Sequence, residues 1–279
     1  MFNKRFNFIL TMMAFGYAFL YIPIVSLIVF SFNKSKLVTV WGGFSTKWYG
    51  ELFRNEQIIE AALLSLRIAV VSACFAVAFG MLAGFVLARM KRFRGRMLFS
   101  GMTTAPLVMP EVITGLSLLL FFIALQDLVG WPGGRGITTI TIAHITFSMA
   151  YVAVVVQSRL SDMDPSLEEA AMDLGARPVT VFFAVTLPIV APALVSGWLL
   201  AFTLSIDDLV IASFVSGPGS STLPMVIFSK VKLGVSPDVN ALATIIIAIV
   251  ATGVVLAMVA MKKQESRHKR DIQIAAVAN

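Results

Sequence analysis

Apolar runs long enough to cross a bilayer recur along this chain, each closed by a short polar or basic stretch. A helical span takes roughly 20 mainly apolar residues. Six stretches reach that length, at about 8–32, 60–88, 98–125, 137–158, 189–215 and 240–261. The pattern predicts an all-α, polytopic membrane protein with six transmembrane helices. Two polar pieces lie between spans on one side. Residues 33–59 mix tryptophan, tyrosine and glycine with charges, as an interfacial loop does. Residues 216–239 contain an apolar-basic stretch, Leu223 to Leu233, too short to span and too apolar to lie free in water. It predicts a short helix on the surface or dipping into the protein. No internal repeat or low-complexity segment stands out, and the tail after about Lys262 reads as a frayed end.

Composition agrees with a membrane protein. The 279 residues are 58% hydrophobic and 13% charged, with a mean hydropathy of +0.89, whereas soluble domains carry about a quarter charged residues. The single cysteine, Cys74, lies inside the second span, so no internal disulfide can form. Lys4 and Arg5 precede an apolar stretch too long for a signal peptide, which predicts an uncleaved anchor.

Lysine and arginine orient the spans. Lys4, Arg5, Arg89, Lys91, Arg92, Arg94, Arg96, Arg159, Arg177, Lys262, Lys263, Arg267, Lys269 and Arg270 fall on one side. Lys34, Lys36, Lys47, Arg54, Arg135, Lys230 and Lys232 are spread over the longer loops of the other. Both termini and the loop around Glu169 are therefore expected in the cytoplasm. The net charge of +7 serves topology and contact with anionic lipid. No aromatic-interleaved basic face points to nucleic acid.

The polar stretch before span five is the most structured loop in prospect. Asp164-Pro165 makes a helix start, an N-cap acceptor followed by proline at the first helical position. Glu168 and Glu169 sit in the early turns, where carboxylates favour the positive end of the helix dipole. Leu167, Ala170, Ala171 and Leu174 share one face as an apolar stripe. Gly175 supplies the left-handed position that ends a helix. A second helix starts near Pro178, and Pro188 closes the segment. The expected product is a short helix, a tight turn and another short helix. Adjacent alanines on the stripe leave room for another surface to approach closely.

Ionisable groups at membrane depth are costly and face a cavity or a partner. Glu111 lies about 22 Å of helix inward from Arg96, past the midplane, after Pro106 and Pro110, which can bend a helix or open it toward a cavity. Asp207 and Asp208 sit in the outer half of span five. Neighbouring helical residues point about 100° apart, so one can line a path while the other caps or pairs. Arg67, at comparable depth, is a candidate to neutralise one of the three acids but not all of them. The remaining carboxylate surplus suits a cationic substrate. His144, alone in span four, reads as a hydrogen-bonded helix contact, and Gly80 and Gly84 as a close-packing interface. No H-E-x-x-H or G-x-S-x-G sequence is present, so neither a catalytic nor a metal-ligating set is expected, which sets an intramembrane hydrolase aside.

Glu169 to Pro188 reads E-A-A, three residues, Gly, nine residues, aliphatic-x-Leu-Pro. This resembles the signature loop of permease subunits of ATP-driven importers that use separate binding proteins. Three further stretches, 20–52, 105–122 and 197–225, together with GVSPDVNALAT at 234–244, extend the resemblance over nearly the whole chain. They are similar to the second permease subunit of bacterial polyamine importers, most closely the putrescine system. The resemblance implies a type I ABC importer permease fold over 60–261, preceded by an N-terminal span and outer loop (1–59) and followed by a cytoplasmic tail (262–279). It implies a multi-pass protein of the bacterial inner membrane, with two copies of an ATP-binding subunit, a second, different permease and a periplasmic polyamine-binding protein as partners. No cofactor is expected in this chain, because ATP is used by the partner ATPase. Glu169, Ala170, Ala171, Gly175, Leu187 and Pro188 would form the ATPase-coupling loop, and Glu111, Asp207 and Asp208 the substrate path. The other reading is an ion-coupled secondary transporter of cationic solutes, marked by broken spans and inverted repeats, neither of which the sequence displays.

Overall fold

The computed structural model describes residues 2–37, 40–90, 92–234 and 237–277. Lys91, Val235 and Ser236, the side chains of Lys4 and Arg5, and those of the tail from Lys263 onward lie outside the described residues. The described residues form helices, loops and one isolated antiparallel bridge between Asn33 and Phe44. Among the described residues, five helical stretches are long and apolar enough to cross a membrane: Phe8–Ser31, Glu56–Arg89, Glu111–Val129, Ile137–Asp162 and Pro178–Ile206. Pro237–Gly253 is a shorter apolar stretch, below that length.

The chain folds as two units. One comprises Met1–Glu56 and Ser229–Asn279. Its first helix, α1 (Phe2–Ser31), is apolar on all sides from Phe8 onward, and its long helix α12 (Pro237–Val277) packs against both α1 and the short α2 (Lys47–Leu52). A helix apolar all round has no polar face to offer water, and α1 leaves Phe8, Phe15, Phe19 and Ile22 uncovered. The loop after α1 is organised by buried Asn33. Its amide donates to Val40 O at 2.8 Å and accepts from Gly42 N at 2.8 Å, while its backbone carbonyl takes the Trp48 indole N–H at 2.6 Å. Instead of fraying after Lys262, α12 continues to Val277. Neither glycine nor proline occurs after Gly253 to stop it.

The second unit, Gln57–Phe228, holds most of α3 (Glu56–Arg89), then α4 (Arg96–Val108), α5 (Glu111–Val129), α6 (Ile137–Asp162), α7 (Ser166–Asp173), α8 (Pro178–Val181), α9 (Leu187–Ile206) and α10 (Val210–Val215). The expected apolar-basic helix is α11 (Leu223–Leu233), which begins here. Helix α6 is the centre, with Ile140, Ala143, Val152, Val156 and Leu160 fully buried. Gly80 and Gly84 of α3 meet it as expected. A Cβ on Gly80 would lie 2.6 Å from Val152 Cβ, and one on Gly84 would lie 2.7 Å from Ala153 O. Two apolar clusters flank a buried polar seam. Ile68, Phe122, Ile140, Phe147 and Ile211 lie in one, Ala76, Met81, Val156, Leu160 and Val190 in the other.

Two expected continuous spans are broken. The stretch 98–125 divides at Met109-Pro110. Pro110 forces Met109 into an extended conformation (ψ 136°) and lacks the N–H that would continue the ladder. Pro106 is tolerated inside α4. The stretch 189–215 breaks over Asp207–Leu209, without proline or glycine, because the Asp208 carboxylate takes backbone N–H groups that a continuous helix would bond itself. Broken spans, which the sequence did not display, are therefore present. In the opposite sense, Pro188 closes nothing: α8, a π-helical turn at Phe182–Thr186 and α9 follow one another without a gap. The wider turn, in which Leu187 N–H bonds to Phe182 O, carries the chain into Pro188, whose nitrogen has no hydrogen to give.

Candidate functional site

The loop before α9 is built by two local devices. At its start Asp164 Oδ1 accepts the Ser166 N–H at 2.9 Å, one residue ahead of the cap position, which Pro165 occupies. The Ser166 backbone and hydroxyl hold the Asp164 carboxyl below the usual aspartate range. At its end Gly175 adopts φ +88°. Gly175 N–H bonds to Met172 O at 2.8 Å and Ala176 N–H to Ala171 O at 3.1 Å, a Schellman closure. No atom lies within 4 Å of a Cβ placed on Gly175, so the glycine is required by backbone conformation and not by space.

The stripe expected on α7 is present and uncovered. Glu169 and Ala170 are exposed, Ala171 is half-buried, and Leu174 is 90% exposed. Leu187 is half-buried and Pro188 exposed, both in the first turn of α9.

Glu168, which the sequence suggested only as a dipole partner, turns the other way. Its side chain is 14% exposed; Oε2 lies 2.8 Å from Arg89 Nε, and Oε1 accepts the Thr186 hydroxyl at 2.6 Å. Arg89 Nη1 donates to Leu160 O at 3.0 Å. The ion pair is a charge contact without an aligned hydrogen bond, and Arg89 Nη2 has no acceptor among the described residues. Nothing local marks these partners, because they come from α3, α6 and the π turn.

The three path candidates fall into different environments. Glu111 is exposed in the first turn of α5, just past the Pro110 break. Asp207 is exposed at the C-terminal cap of α9. The Asp208 side chain, 6% exposed, accepts Ile211 N–H at 3.2 Å and Ala212 N–H at 2.7 Å, and lies 3.1 Å from His144 Nε2. His144 Nδ1 meets Ser205 Oγ at 2.6 Å, and Ser205 meets Ser72 Oγ at 3.0 Å. This seam joins α3, α6, α9 and α10. The expected counter-ion is corrected: Arg67 is exposed and pairs with none of the three acids, and His144 is the partner of Asp208. His144 is a hydrogen-bonded helix contact, as its isolation in the sequence suggested.

Residues 76–270 match the model of the family described as binding-protein-dependent transport system inner membrane component. The putrescine transport system permease protein PotI of Escherichia coli (strain K12) is 58% identical over 260 residues, covering 93% of this chain and 92% of that protein. The spermidine/putrescine transport system permease protein PotC of the same strain is 42% identical over 257 residues, 92% of this chain and 95% of that one. Among solved structures, a bacterial ABC transporter involved in import of the acidic polysaccharide alginate superposes with a TM-score of 0.71 at 17% identity, covering 92% of this chain and 96% of that one. The MetNI methionine ABC transporter gives 0.59 at 17% identity, covering 72% and 92%. The fold is that of ABC importer permeases, and the chain belongs to the family of binding-protein-dependent transport system inner membrane components.

Proposed function

We propose that this chain is the permease subunit of an ATP-driven importer that moves a polyamine, putrescine first, from periplasm to cytoplasm. The observation that carries the substrate class is the 58% identity to a putrescine permease over 93% of the chain. Both termini and the Glu169 loop lie in the cytoplasm, by the arginine and lysine bias. A reporter inserted between Asp162 and Ser166 should behave as cytoplasmic, and one within 42–46 as external. The partners are an ATP-binding subunit in two copies, a second, different permease and a periplasmic polyamine-binding protein. ATP is used by the ATPase, and this chain needs no cofactor.

The chain's own residues then divide the work. The uncovered face of Glu169, Ala170 and Ala171, held in place by the turn at Gly175, receives the ATPase. Because α8, the π turn and α9 are continuous, a push on the loop moves the span beginning at Leu187 and Pro188. A diammonium substrate leaving its binding protein loses water as it passes, and carboxylates must replace that water. Glu111 and Asp207, exposed beside the two helix breaks, supply them. Asp208 is already satisfied by two N–H groups and His144, so it holds the break open and leaves Asp207 to face the path. Broken spans also occur in ion-coupled transporters, but the family match and the uncovered loop favour the importer. Uptake of labelled putrescine against spermidine, in a strain lacking this subunit and complemented with it, tests the reading. ATP-independent uptake, with no ATPase co-purifying, would overturn it.

A further inference from the structure

We infer that Glu168 is a positioning residue that clasps the coupling helix to the spans, so that movement of α7 reaches three of them at once. The inference rests on the proposed coupling role of the loop and adds to it the route by which the push is transmitted. Glu168 Oε2 holds Arg89, the last residue of α3, at 2.8 Å, and Oε1 holds Thr186, at the end of the π turn leading into α9, at 2.6 Å. Arg89 in turn holds Leu160 O near the end of α6 at 3.0 Å.

The charges suit their places. Glu168 sits in the first turn of α7, and Arg89 lies at the C-terminal ends of α3 and α6, where a cation is favoured by the helix dipole. With side chains 18% and 14% exposed, the pair is shielded well beyond an ordinary surface ion pair. Its neighbour Glu169 is exposed, so docking and transmission belong to different glutamates. A surface contact alone would let α7 yield under load. The clasp makes it move with the spans.

The test uses the assembled complex in proteoliposomes with its binding protein, comparing Glu168→Gln, Arg89→Gln, the double variant and Thr186→Val. The readout is ATP hydrolysed per putrescine imported. Each single neutralisation should keep the ATPase bound and basal hydrolysis running while raising that ratio about tenfold, the scale of leaving a shielded charged group without its partner. The double variant should do better than the product of the two single defects, since neither charge is then left unpaired. Thr186→Val should give a smaller rise. Wild-type stoichiometry in both neutralised variants, or multiplicative defects, would overturn the clasp. Failure of the variants to assemble would overturn it too, by assigning Glu168 to folding. If the importer reading itself were wrong, the unmodified complex would show no ATP-dependent uptake, a result distinct from all of these.

Discussion

Two pairs of adjacent acids, Glu168-Glu169 on the loop and Asp207-Asp208 at the break after α9, divide in the same manner. One member of each has a largely shielded side chain and is held: Glu168 by Arg89 and Thr186, Asp208 by His144 and two backbone N–H groups. The other member, Glu169 or Asp207, stays exposed. The difference between the pairs lies in what the shielded acid secures. Glu168 ties a loop helix to several spans, whereas Asp208 keeps a span from continuing. In each case the shielded carboxylate fixes the geometry in which its neighbour is presented.

The strongest way to break the loop half of this comparison is at Gly175. Valine at φ +88° costs about 1–2 kcal/mol of backbone strain and loosens the Schellman closure. Gly175→Val should insert normally yet abolish transport and stimulated ATP hydrolysis. Gly175→Asn, which tolerates the left-handed conformation, should retain part of both. Glu169→Lys should also abolish stimulation, by weakening ATPase co-purification.

The second pair is tested by contrast within it. Asp208→Asn removes a carboxylate that serves two N–H groups and His144, and should lower the thermal stability of the complex by about 2 kcal/mol. Asp207→Asn should leave stability unchanged and cut putrescine uptake severely. Exchange of these two phenotypes would reverse the assignment. Neutralising Arg67 should rescue neither. Glu111→Gln should follow Asp207→Asn, with reduced uptake and intact assembly, measured by labelled substrate and co-purification.

The smallest effect belongs to Asp164. Its folded carboxyl titrates below its unfolded value, so its cap contributes stability that is present above the unfolded value. That contribution is lost as pH falls through the folded one. A carbon-13 titration of the Asp164 carboxyl should give a midpoint below that of a matched peptide, and Asp164→Ala should leave uptake at neutral pH nearly unchanged.

The amino-acid sequence by itself determined the features that depend on local pattern. These are the membrane crossings, the helix over Leu223–Leu233, the Gly175 turn and the close approach at Gly80 and Gly84. Each follows from composition over one stretch or from a residue with unusual backbone freedom. It also marked Pro110 as a bend. It missed the break at Asp207–Leu209 and the continuity through Pro188, because an aspartate side chain in one case and a π turn in the other outweighed the local signal. Only the tertiary structure decided which member of each acidic pair is shielded. His144 and Asp208 stand 64 residues apart in the chain, and Arg89 and Glu168 stand further apart still. A carboxylate's shielding is set by whether such distant donors converge on it, and no local pattern records that.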